Sequence, residues 1–136
     1  MAVSTSALAL LGYATWTLTL IILIVMYRGA YIMTKSRQAN EFCPDGSDVS
    51  EFSNRLCRAH ANCVENLPVF ASIILFAIAT KQTDVTNSLA LVVVFARIAQ
   101  SLVHLVSASA QAVMLRGTLF MVQLAVMAWW AYQLLM

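Results

Sequence analysis

Three long stretches of the chain carry no charged side chain: Met1 to Tyr27, Asn66 to Thr80 and Gly117 to Met136. Backbone in such stretches is most cheaply satisfied as helix, and about 20 apolar residues span a bilayer core of about 30 Å. Only 10% of the 136 residues are charged and 61% are hydrophobic, whereas a soluble domain has about 25% charged residues. Mean hydropathy is +0.80. The sequence therefore predicts an all-α integral membrane protein, a single domain over 1–136 with about four membrane-crossing helices.

The first apolar stretch has no basic residue before it and is too long for a signal peptide, so it reads as a retained helix over about 7–33. Arg28, Lys35 and Arg37 follow it and read as side chains snorkelling to headgroups. Cys43-Pro44-Asp45-Gly46 reads as a turn. Asp48 with Glu51 resembles a capping box, which places the second helix at about 49–80. Pro68 lies inside that helix and is expected to kink it. A polar turn around Lys81 leads to a third helix over about 85–106. A weakly polar connection from Ser107 to Met114 precedes a fourth over about 115–136, opened by Arg116. Arg28, Lys35, Arg37, Arg55 and Arg58 all flank the first connection, whereas both termini are bare. The positive-inside rule then puts that connection in the cytoplasm and both termini outside.

Within this apolar frame the polar groups are few and spaced like helix faces. Arg58, Asn62 and Glu65 share one face of the second helix, and Arg97, Gln100 and His104 share one face of the third. A carboxylate in the hydrocarbon region costs roughly 2.5 kcal/mol or more without a partner. Glu65 and Arg97 are thus expected to face the interior and lie close together. In an up-and-down bundle, the starts of helices two and four meet the end of helix three. That predicts a polar cavity lined by Arg58, Asn62, Glu65, Arg97, His104 and Arg116. Arginine exceeds carboxylate in this set, which suits a small anion carrying an amine for Glu65. Arg116 near a helix start would favour a thiolate. A multi-carboxylate thiol such as glutathione fits, although charge alone does not choose it over another anion. Gln100 reads equally well as a packing amide.

The run Arg58-Ala59-His60-Ala61-Asn62-Cys63-Val64-Glu65-Asn66-Leu67-Pro68 closely resembles the signature of the MAPEG family, membrane-associated proteins in eicosanoid and glutathione metabolism. The Arg97 stripe and Arg116 match as well, so the resemblance covers nearly the whole chain. It implies a homotrimer of left-handed, antiparallel four-helix bundles that takes glutathione as co-substrate between subunits. Arg58, Asn62, Glu65, Arg97 and His104 would bind glutathione, with Arg37 as a further basic contact. Arg116 would be the catalytic residue that stabilises the thiolate. His104 stands where several eukaryotic enzymes carry tyrosine, Gln100 where the prostaglandin E synthase branch has histidine, and Ala61 where that branch has a basic residue. The chain therefore looks more like bacterial-type members similar to microsomal glutathione transferases, which implies an inner-membrane, detoxifying transferase or peroxidase acting on hydrophobic electrophiles.

The alternative is a non-catalytic lipid- or anion-binding protein of the same fold. A small multidrug exporter would need a carboxylate in the first helix, which has none. Membrane lipids and a hydrophobic small molecule are the expected partners. A net charge of +2 gives no basis for nucleic-acid binding. No zinc-ligand spacing or Gly-rich phosphate loop is present, so no metal is expected. The three cysteines form no paired framework and are expected as free thiols.

Overall fold

Four helices account for the three uncharged stretches and the apolar run before Arg97. The computed structural model describes residues 3–136. Helix α1 spans Thr5–Met33, α2 Glu51–Ala79, α3 Thr83–Val106 and α4 Ala110–Leu135. All four are long and apolar enough to cross a membrane. The 29 residues of α1 and of α2 exceed the roughly 20 that a bilayer core needs. Their ends therefore reach past the hydrocarbon.

Hydroxyl side chains start three of the helices. Ser4 accepts from Ala7 N, Ser50 from Ser53 N and Ser109 from Ala112 N. Each satisfies one of the amides that the first turn leaves without a partner. Two expectations change here. The second helix is capped by Ser50, not by Asp48, because Asp48 is taken by Arg37. The fourth helix starts at Ala110, so Arg116 lies inside it and does not open it. The Ser109 cap and the helix-favouring run Ala110-Gln111-Ala112 extend α4 backwards over what read as a connection.

The long connection between α1 and α2 folds onto the bundle. Arg28 donates to the carbonyl of Cys43 at 2.8 Å. Arg37 pairs with the Asp48 carboxylate and also donates to the Asp48 carbonyl. The two guanidinium groups lie 5.5 and 5.9 Å from the Phe42 ring. Arg28 and Arg37 are thus clamps on this segment, not snorkelling side chains. Gly46 turns the chain at φ +68°, where a Cβ would stand 2.6 Å from Ser53 Oγ and 2.9 Å from the Ser53 carbonyl. Nearby, the exposed Asp45 carboxylate accepts from the amide and hydroxyl of Ser47, which hold its pKa below the ordinary value. The thiols of Cys43, Cys57 and Cys63 are free, the last two buried.

Helices α2 and α3 each pack on all the others, α3 most extensively, whereas no Cα of α1 lies within 8 Å of one in α4 among the described residues. The aromatic core joins Tyr13 to Phe70 at 5.1 Å and Phe70 to Trp130 at 6.2 Å. At that end of the bundle, Ser6 Oγ bonds Thr86 Oγ1 at 2.7 Å and Asn87 Oδ1 at 2.8 Å, tying the start of α1 to the start of α3. At the other end, Arg55 Nε donates to the Leu105 carbonyl at 3.0 Å. That bond satisfies an acceptor left open by the last turn of α3, and places a cation at its negative end.

Candidate functional site

Between α2, α3 and α4 lies a cavity of about 400 Å³, lined by Arg58, Asn62 and Glu65 of α2, by Arg97, Gln100 and His104 of α3, and by Val113, Arg116, Gly117 and Phe120 of α4. Each helix supplies one face at spacings of three and four, as helical geometry requires. The cavity falls within the roughly 300–1,000 Å³ typical of small-molecule sites.

Arg97 forms the back wall and is only 1% exposed. Its Nη1 donates to the Asn62 carbonyl at 3.3 Å, while Nε and Nη2 have no acceptor. The guanidinium lies between two rings, 5.7 Å from Tyr13 and 5.9 Å from Phe120. Among the described residues no carboxylate comes within ion-pair distance of it; the ion pairs are Arg37 with Asp48 and Arg55 with Glu51.

Side chains of α1 and α3 brace the backbone around Arg97. Ser101 Oγ donates to the Arg97 carbonyl at 2.9 Å and accepts from Trp16 Nε1 at 3.1 Å. Tyr13 donates to the Cys63 carbonyl at 3.3 Å. These bonds fix α1 and α2 against α3 at the level of the cation, so the guanidinium stands on a rigid support.

Six of the seven residues expected at the site line this cavity: Arg58, Asn62, Glu65, Arg97, His104 and Arg116. His104 is buried, with Nδ1 at 3.5 Å from Asn62 Nδ2. The seventh, Arg37, lies outside it and holds the long connection. The expected Glu65–Arg97 pair does not form. Glu65 is exposed at the mouth, as is Arg58 about two turns away on the same helix, while Arg97 reaches inward to Asn62 and the aromatic rings. Arg116 is half-buried and its Nε has no acceptor.

Sequence reasoning left Gln100 out of the site set and missed Val113, Gly117 and Phe120 altogether. Gln100 was visible on the Arg97 stripe. Gly117 and Phe120 recur at helical spacing with Arg116, whereas Val113 joins them only when α4 begins before it.

Chemically, three guanidinium groups around one cavity with a single carboxylate at its rim suit an anion. The fork of an arginine suits carboxylate oxygens in particular. The Nε and Nη2 of Arg97 are donors without an acceptor in a low-dielectric wall, where an anion interacts more strongly than in water.

The MAPEG family model matches residues 6–136. No curated protein and no solved structure matches the chain.

Proposed function

The chain belongs to the MAPEG family, and from that premise we propose that it is a membrane-embedded glutathione-binding protein acting as a glutathione transferase or peroxidase on hydrophobic electrophiles. One observation carries the reading. Arg97 is a buried cation whose Nε and Nη2 have no partner, on the wall of a cavity large enough for a small peptide. A buried charge without a counter-ion is strongly unfavourable, so the site is built for an anion that completes it. Arg97 takes a carboxylate of glutathione, Glu65 its amine, and Arg58 and Asn62 the remaining polar groups at the rim. Arg116, on the α4 wall, lies beside the sulfur and favours its thiolate form.

The chemistry needs an activated nucleophile and a positioned electrophile. The thiol proton leaves to water, and the sulfur lone pair forms a bond to the electrophilic carbon as the leaving group departs with its bonding pair. With a hydroperoxide, two thiols become one disulfide while the peroxide takes two electrons and two protons, giving an alcohol and water.

The mouth of the cavity supports a homotrimer with sites between subunits. Glu65 and Arg58 are exposed on the open side between α2 and α4, within helices long enough to cross a bilayer. A partner subunit there spares Glu65 from lipid. The basic residues around the long connection support a cytoplasmic placement of this end of the bundle.

The test is glutathione binding by the detergent-solubilised protein, followed by thiolate absorbance in the ultraviolet, with Arg116→Ala in parallel. The expected result is a thiolate signal in the wild type that disappears in the variant while binding persists. Binding without any thiolate would leave an anion-binding protein without turnover. No binding would sink the glutathione reading.

A further inference from the structure

Behind the cavity, Gln100 of α3 and Gln123 of α4 form an amide pair whose polarity can be worked out. Gln123 is 0% exposed, and Gln100 is 7% exposed on the cavity wall. Gln123 Nε2 donates to the Leu119 carbonyl at 2.9 Å and to Gln100 Oε1 at 3.0 Å. A backbone carbonyl only accepts, so the Gln123 atom facing Leu119 must be nitrogen. That same nitrogen faces Gln100, whose facing atom must then be oxygen, because two amide NH2 groups would repel. The orientation of Gln100 is therefore imposed from the α4 backbone through Gln123. Among the described residues, the Gln100 NH2 group has no acceptor in the chain, although it belongs to a cavity-lining residue.

We propose that Gln123 is a positioning residue, which locks Gln100 with its N–H groups toward the cavity and so makes this part of the wall a donor for a carboxylate or carbonyl oxygen of the ligand. Only the ligand's identity rests on the glutathione reading; the orientation does not. The lock has a second effect. Gln100 sits one helical turn from Arg97. Unanchored, it is free to turn its oxygen to the open N–H groups of Arg97 and occupy them. Held by Gln123, it leaves them to the ligand. Packing alone does not account for the pair. Gln123 Oε1 is buried without a donor, and a matched apolar pair would avoid that cost.

The orientation is tested without any ligand, by NMR of the side-chain amides in the full chain, selectively labelled on glutamine nitrogen, in detergent. The Gln123 NH2 protons are expected to be protected, while those of Gln100 exchange with water. The Gln100 amide is rigid in the wild type and loses its order in Gln123→Met. A protected Gln100 NH2, or unchanged order in the variant, overturns the proposal.

Calorimetric titration with glutathione then tests the consequence, using Gln123→Met, Gln100→Leu and the double variant, with melting followed in each. Each single change is expected to lower affinity about tenfold, as for a hydrogen bond to a charged group. The double variant should lose no more than Gln100→Leu alone, because Gln123 acts through Gln100. Full affinity in folded Gln123→Met, or losses that add in the double variant, overturns the positioning role. A wild type with the expected exchange pattern that binds no glutathione overturns the glutathione reading instead.

Discussion

Arg97 is a full charge held between two aromatic rings with no carboxylate partner. Replacing a buried ion with an apolar side chain of similar volume is often neutral or stabilising, by about 1–4 kcal/mol. Arg97→Met is therefore expected to melt at the same or a higher temperature than the wild type without ligand, yet to lose glutathione binding. A clear fall in the ligand-free melting temperature would mean that the cation is compensated after all. Glu65 makes the contrast, since it is exposed and unpaired. Glu65→Gln should leave melting unchanged and weaken glutathione binding. The sequence placed both residues on the right helix faces but paired them wrongly. Spacing fixes which residues share a face. It does not fix how far a long side chain reaches, and Arg97 extends to the Asn62 carbonyl and the rings.

At the scale of the element, α4 shows what a single cap decides. Ser109 Oγ accepts from Ala112 N and starts the helix early enough to add Val113 to Arg116, Gly117 and Phe120 on the cavity wall. Ser109→Ala should lower stability by about 1 kcal/mol, read as a drop in melting temperature. The small, weakly polar run from Ser107 to Met114 reads as a connection, although a serine followed by alanines can equally start a helix. Composition alone does not separate the two. The long connection was less legible still, because its order comes from Arg28, Arg37 and Phe42 meeting across the chain. Its Gly46 should not tolerate Ala. The positive φ and the close Ser53 carbonyl predict a loss greater than about 1 kcal/mol, measured by thermal melting. Asp45 adds a pH dependence. The Ser47 hydrogen bonds hold its folded pKa below that of an unfolded aspartate. Their contribution is present above the unfolded value and fades as pH falls through the lower folded value. The melting difference between wild type and Asp45→Asn should therefore shrink on acidification.

For the whole molecule, the four crossings and the converging polar faces were readable from uncharged runs and helical spacing. What spacing does not give is how the helices are arranged around one another. Helices α2 and α3 serve as the hub, and α1 and α4 stand apart among the described residues. The cavity between α2 and α4 follows from that arrangement, and so do the exposed Glu65 and Arg58 at its mouth. Glutathione at about 100 times its Kd should stabilise the folded protein by about 2.7 kcal/mol, seen as a rise in melting temperature. The rise should vanish in Arg97→Met. The uncompensated guanidinium behind the cavity also bears on the life of the protein in a cell. A bundle that is least stable when empty is the form most open to proteases, and a difference of about 1–2 kcal/mol changes abundance several-fold. If glutathione is the ligand as proposed, depleting it in cells at constant synthesis should shorten the protein's half-life, so the amount of this protein would follow the supply of what it binds.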